Sequence, residues 1–231
     1  MNKISKIYFI NLDNRPNRHE HFLKQCHDNS IDYSKIKRFQ AINGETYQFS
    51  ETEKKLFINC DYKNQSYVKK IMGNQLSHYY ILKEMIKNNY KYIIIFQDDI
   101  IFRKDFKNEL INVVNNIPDN AEIVNIAFHK FASYSHFIPW DLNQRDEEKS
   151  MSKTIVNKYI TILNDTVNPC SLGYIVTLKG AINLVQHFNK IGFLRATDWN
   201  YNDYLRTKNI FYGSQLVLCT GNASFTSDIF T

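Results

Sequence analysis

The sequence predicts an α/β chain with a mixed, mainly parallel central sheet flanked by helices, and three observations carry that prediction. The chain opens strand–helix–strand: the β-branched and aromatic run Lys6–Ile10, an amphipathic segment from Arg15 to His27, then Ile36–Ile42. A helical pattern over Asn74–Asn88 feeds directly into Lys91–Phe96, the most hydrophobic run in the chain, which marks a central strand. A strand at Gly173–Thr177 then leads into a helix over Lys179–Phe188. With 231 residues the chain is long enough to bury one ordinary core, and no repeat or linker divides it, so residues 1–231 are read as one domain.

The remaining elements follow in order. Asn14 is placed as N-cap of the first helix, with Pro16 in its first turn. Asn43-Gly44 stops the second strand. Residues 44–72 are polar, carry one short helix near Glu51–Ile58, and read as a surface loop or lid. After the central strand come Gln97-Asp98-Asp99, the apolar pair Ile100-Ile101, a helix over Asp105–Asn116 and a strand over Glu122–Phe128. Residues 129–158, aromatic and charged without a clean period, read as a second surface loop or lid. A short helix at Asp198–Leu205 and a strand at Leu216–Cys219 close the fold.

Composition narrows the class. A hydrophobic share of 43% with 14% aromatics excludes disorder, and 7 Gly with 4 Pro exclude collagen-like or Gly/Pro-rich chains. No apolar run approaches the roughly 20 residues that span a bilayer, and no secretory leader is read, so no integral membrane segment is expected. The location expected is cytoplasmic, or the host-cell cytoplasm for a viral chain. Cys26, Cys60, Cys170 and Cys219 are scattered without metal-ligand spacing and read as buried free thiols. Asn and Ile make up about a quarter of the chain, a bias typical of AT-rich genomes. The net charge of +6 favours anionic ligands such as nucleotide diphosphates; without a basic block or aromatic-interleaved basic stripe, no nucleic-acid partner is expected.

Asp98 and Asp99 are the sharpest chemical signal. They follow a buried strand at the edge where open α/β sheets place their ligands. Adjacent carboxylates need neutralising, and hard oxygen ligands suit Mg²⁺ or Mn²⁺ completed by diphosphate oxygens; a solvated strand end is the alternative. In an extended strand Gln97 and Asp99 would share one side and Asp98 would face the other.

The wider pattern resembles glycosyltransferase family 25, which contains bacterial lipooligosaccharide galactosyltransferases and the domains that modify collagen hydroxylysine. The segment Ile10-Asn11-Leu12-Asp13-x-Arg15-Pro16-x-Arg18 resembles the N-terminal signature, and Arg38-x-x-Ala41-x-x-Gly44 follows. Ser77-His78, Ile95-Phe96-Gln97-Asp98-Asp99-Ile100, Gly173–Ala181 and Ser227-Asp228-Ile229 resemble further family pieces in family order. Gln97 stands where the family normally has Glu, which removes a charge beside the aspartates.

The resemblance implies a GT-A-like, Rossmann-type fold and a UDP-sugar donor bound through a divalent metal, Mn²⁺ or Mg²⁺. The implied reaction moves galactose or glucose to a hydroxyl of a glycan or, slightly favoured, a collagen-like protein. Ile10, Asn11 and Leu12 are expected around the nucleoside, and Arg15 and Arg18 at the diphosphate. Ser77, His78, Gln97 and Asp98 are expected in the donor pocket, with Asp99 and Asp228 as metal ligands. Asp198, in a segment that resembles a late family motif, is the expected catalytic base of an inverting course, with Asp203 in reserve; in a retaining course Asp198 would position the acceptor. A helix N-cap is a compatible role for Asp198, and Trp140 and Trp199 could stack on a sugar. A non-catalytic sugar-nucleotide-binding module and a metal-dependent nucleotidyltransferase or phosphohydrolase are the rival readings.

Overall fold

The computed structural model of the chain describes residues 2–127, 153–163, 170–222 and 224–229. Its elements, in order, are β1 (Lys6–Asn11), α1 (Pro16–Asp28), a 3-10 turn (Tyr33–Lys35), β2 (Ile36–Gln40), α2 (Glu51–Lys55), α3 (Val68–Lys87) and β3 (Tyr92–Gln97). They continue with β4 (Ile100–Phe102), α4 (Phe106–Asn115), β5 (Ile123–Asn125), β6 (Lys153–Ile155), β7 (Ile160–Leu163) and β8 (Gly173–Thr177). Last come α5 (Leu178–Ile191), α6 (Thr197–Thr207), β9 (Tyr212–Ser214) and β10 (Cys219–Gly221).

Eight strands form one sheet in the order β2-β1-β3-β8-β5-β9-β7-β6. Strands β2, β1, β3, β5, β9 and β6 run in one direction, and β8 and β7 run against them, so the mixed, mainly parallel sheet is as expected. Strand β1 pairs with β2 on one side and β3 on the other, both parallel, which puts the topological switch at β1 and β3. Antiparallel β8 brings its N-terminal end beside the C-terminal end of β3, where Gln97 N–H donates to Leu172 O at 3.0 Å.

Side-chain alternation along β1 sends residues to both faces of the sheet. Phe9 stacks on Phe22 of α1 with ring centroids 4.3 Å apart, and the aromatic layer continues through Phe96, Phe102 and Phe106. Tyr8 points the other way, its hydroxyl donating to Glu84 of α3 at 2.7 Å. Ile93 to Phe96 are wholly buried, as a central strand requires.

Several boundaries differ from the expectation. Helix α3 begins at Val68 and α2 spans Glu51–Lys55; within the largely exposed 44–72 stretch Glu53, Phe57, Cys60 and Ile71 are buried and anchor it to the body of the fold. Glu53 anchors it by accepting hydrogen bonds from Tyr47 (2.8 Å), Tyr80 (2.5 Å) and the Ser50 backbone (2.7 Å). Gly44 and Gly73 make close approach possible: a Cβ on Gly73 would lie 2.3 Å from Ile42 O. The expected Asn14 cap is not formed, because Arg15 occupies the N-cap of α1 without a side-chain bond. Strands β6, β7 and β9 were not expected, and β10 lies in a separate two-stranded sheet with β4. Most of the expected 129–158 loop, with Trp140, lies outside the described residues. All four cysteines are buried thiols.

Candidate active site

The C-terminal ends of β1 and β3, the N-terminus of α6 and the tail 222–229 surround a cleft of about 780 Å³. Ile10, Leu12, Arg15, Arg18, Gln97, Asp98, Asp99, Asp198, Trp199 and Asp228 all line it, so most of the expected site residues converge.

Asn11 organises the floor. Buried at the end of β1, it donates from Nδ2 to Asp98 Oδ2 at 2.7 Å and to Arg15 O at 3.1 Å. Its Oδ1 accepts from Arg38 Nε at 2.8 Å. Arg38, which no local pattern marks as a site residue, makes this contact from β2, adjacent to β1 in a parallel pair.

Arg18 is the electrostatic hub. Its guanidinium, only 7% exposed, lies 3.3 Å from Asp98 Oδ1, 3.1 Å from Asp228 Oδ2 and 3.7 Å from Asp99 Oδ2. It also donates to Thr226 O and lies under the Phe225 ring. Arg15 donates from Nε to Asp228 Oδ1 at 2.9 Å and again from Nη2. The tail thus reaches the cleft, where Asp228 pairs with both arginines.

The expected alternation at the strand end fails for a physical reason. Strand β3 stops at Gln97 and residues 98–99 form a turn, so Asp98 and Asp99 both face Arg18 while Gln97 faces α3. Burial pushes Asp98 above the usual carboxylate value despite Asn11 and Arg18. Burial, then the Asp98 charge, pushes Asp99 up to about 6. Asp99 Oδ1 is buried without a hydrogen-bond partner among the described residues.

Ser77 and His78 sit behind the cleft wall. Ser77 Oγ accepts from Ile42 N–H at 2.9 Å and donates to Gly73 O at 2.7 Å, pinning the loop after β2 to α3. His78 is fully buried, with Nδ1 2.6 Å from the Tyr174 hydroxyl and Nε2 3.0 Å from Gln97 Nε2. Burial lowers its pKa to about 3, so the ring is neutral.

Asp198 lines the same cleft from the first turn of α6, and burial pushes it up to about 6. It is not the N-cap of α6, a place taken by Ala196; its Oδ1 instead accepts the Trp199 N–H at 2.9 Å in the first turn. Asp203 faces solvent and Arg195, 3.3 Å away, and does not line the cleft. Among the described residues no group of three or more His, Cys, Asp or Glu side chains is placed to hold a metal ion. Among the same residues no helix is long and apolar enough to cross a membrane.

Comparison with known proteins agrees with the motif pattern. The model of glycosyltransferase family 25 (LPS biosynthesis protein) matches residues 4–202. Human procollagen galactosyltransferase 2 is 25% identical over 190 residues, covering 78% of this chain and 27% of its own length. A glycosyltransferase 25 family member of Drosophila melanogaster is 23% identical over 250 residues, covering 97% of this chain and 37% of its own. The chain thus spans about a quarter to a third of the length of these relatives. A solved structure of the galactosyltransferase LgtC aligns over 97% of this chain and 90% of its own, with 9% identity and a TM-score of 0.43. With the family match running from Ile4 to Asn202, through the arginines, the paired aspartates and the Asp198 segment, the chain belongs to glycosyltransferase family 25.

Proposed function

We propose that this chain, acting as a single GT-A-like domain, transfers a hexose from a UDP-sugar to a hydroxyl acceptor. The observation that carries the reading is one cleft lined together by Arg15, Arg18, Asp98, Asp99 and Asp198. Ile10 and Leu12 border the nucleoside, Asn11, which does not line the cleft, holds Asp98 from beneath, and the two guanidinium groups bind the diphosphate. Asp198 takes the acceptor proton as the acceptor oxygen bonds to the anomeric carbon. The bond from that carbon to the phosphate oxygen breaks, and its electron pair leaves with UDP.

The residues fit a divalent ion, Mn²⁺ or Mg²⁺, shared with the nucleotide. Asp99 has an unpartnered carboxylate oxygen and Asp228 lies close by; one or two carboxylates plus diphosphate oxygens suffice for such an ion. When bound, it would neutralise charge on the departing diphosphate. Galactose is the favoured hexose and a hydroxylysine of a collagen-like protein the favoured acceptor, in line with the names of the relatives; a lipooligosaccharide hydroxyl is the alternative acceptor.

The test is release of UDP from UDP-galactose and UDP-glucose, with and without Mn²⁺, against hydroxylysine peptides and lipooligosaccharide acceptors. Acceptor-dependent release supports transfer. Donor binding without turnover across the panel would support the non-catalytic reading that Gln97, in place of the family Glu, keeps in play.

A further inference from the structure

Gln97 is the last residue of β3 and lines the cleft, yet its amide is held from behind by a buried chain of side chains. Gln97 Nε2 lies 3.0 Å from His78 Nε2, and His78 Nδ1 lies 2.6 Å from the Tyr174 hydroxyl. The Tyr174 ring packs edge-on against Tyr201, with ring centroids 5.5 Å apart. His78, Tyr174 and Tyr201 are at most 4% exposed.

Bond direction follows from the placement of the Gln97 amide, whose NH₂ group is turned toward His78. An amide NH₂ only donates, so in this placement the facing imidazole nitrogen offers a lone pair. The ring proton of neutral His78 is then on Nδ1 and goes to Tyr174 Oη. The polarity runs Gln97 → His78 → Tyr174 and turns the Gln97 carbonyl oxygen away from His78.

We infer that His78 and Tyr174 are positioning residues that lock the Gln97 amide so that its oxygen is a fixed acceptor, on the cleft wall, for a hydroxyl of the sugar nucleotide. An acceptor oxygen selects hydroxyl donors and repels phosphate oxygens, so the group it meets is a ribose or sugar hydroxyl. The exchange of Glu for Gln therefore concerns direction as well as charge. A carboxylate here cannot donate to His78, and would force the ring proton to Nε2 and reverse every bond in the chain.

The identity of the ligand rests on the proposed sugar transfer; the polarity of the chain does not. Nitrogen-15 NMR of His-labelled full-length protein, without substrate, reads the His78 tautomer. We expect Nδ1–H in the native chain and Nε2–H in Gln97→Glu; Nε2–H in the native chain overturns the inference. Tyr174→Phe, checked for an unchanged melting profile, frees the ring and should raise the donor KM about tenfold while kcat moves far less. An unchanged donor KM would also overturn it. If the native protein binds no UDP, the transferase reading fails while the tautomer result still decides the polarity.

Discussion

Asp99 is held ionised at a cost that can be removed by one isosteric change, Asp99→Asn. Its folded pKa stands at about 6 against an ordinary 3.8, because the partly buried carboxylate has one oxygen shut off from water and Asp98 lies beside it. Roughly two units at about 1.4 kcal/mol each give about 3 kcal/mol of destabilisation above pH 6. Burying the replacement amide returns part of this, so the variant should gain about 2 kcal/mol at pH 7.5. The sign follows from proton binding. Between about pH 4 and 6 the folded chain keeps a proton that the unfolded chain has released, so this contribution to native stability falls as pH rises through that window. The gain of Asp99→Asn should therefore be near zero at pH 4, grow to its full size by pH 6.5 and stay flat beyond. Urea unfolding of both proteins without metal or nucleotide at pH 4.5, 5.5, 6.5 and 7.5 measures it, and the melting temperature should rise by roughly 5 °C at neutral pH. The same variant should lose sugar transfer. A variant less stable than the native protein at pH 7.5, or a gain independent of pH, would refute the reasoning.

Further outcomes follow from the same geometry. Arg18→Met removes the cation shared by Asp98, Asp99 and Asp228 and should cost about 3–5 kcal/mol by urea titration at neutral pH; a loss below 1 kcal/mol would show that the carboxylates do not depend on it. Asp198→Asn should lower kcat by about a hundredfold or more with little change in donor affinity. In the native enzyme the rate should fall as pH drops through about 6, where Asp198 gains a proton and ceases to be a base; a flat profile from pH 5 to 8 would remove that role. Gly73→Ala should destabilise by about 1–3 kcal/mol in thermal melts, since its Cβ would meet the Ile42 carbonyl; an unchanged melt would mean that the contact yields freely.

Elements with long apolar runs were legible in the sequence, and short ones were not. Gly173–Thr177 is a strand with the expected boundaries, because four of its five residues are buried and Thr177 caps the helix that follows, accepting from Gly180 N–H at 3.0 Å. Strands β6, β7 and β9 have only three or four residues and take their identity from neighbours across the sheet. The start of α3 was hidden because Lys69 and Lys70 interrupt the apolar pattern just where Gly73 lets the helix touch the loop after β2. The acidic pair and its arginines could be found from local motifs. The meeting of Asp228 with Arg15, 213 positions apart, could be anticipated only from a motif kept at the tail. The turn that swings Asp99 toward Arg18, and the inward facing of Ser77 and His78, depend on packing that no local pattern encodes.

The clasp of Asp228 on Arg15 and Arg18 changes what a binding constant at this cleft would mean. The chain supplies its own counter-anion, so an incoming phosphate does not meet bare guanidinium groups; it must evict a carboxylate already seated there. Affinity then reports an exchange of one anion for another, in which added salt weakens the outgoing and incoming pairings alike. Nucleotide binding should depend on ionic strength less steeply than two exposed arginines would suggest.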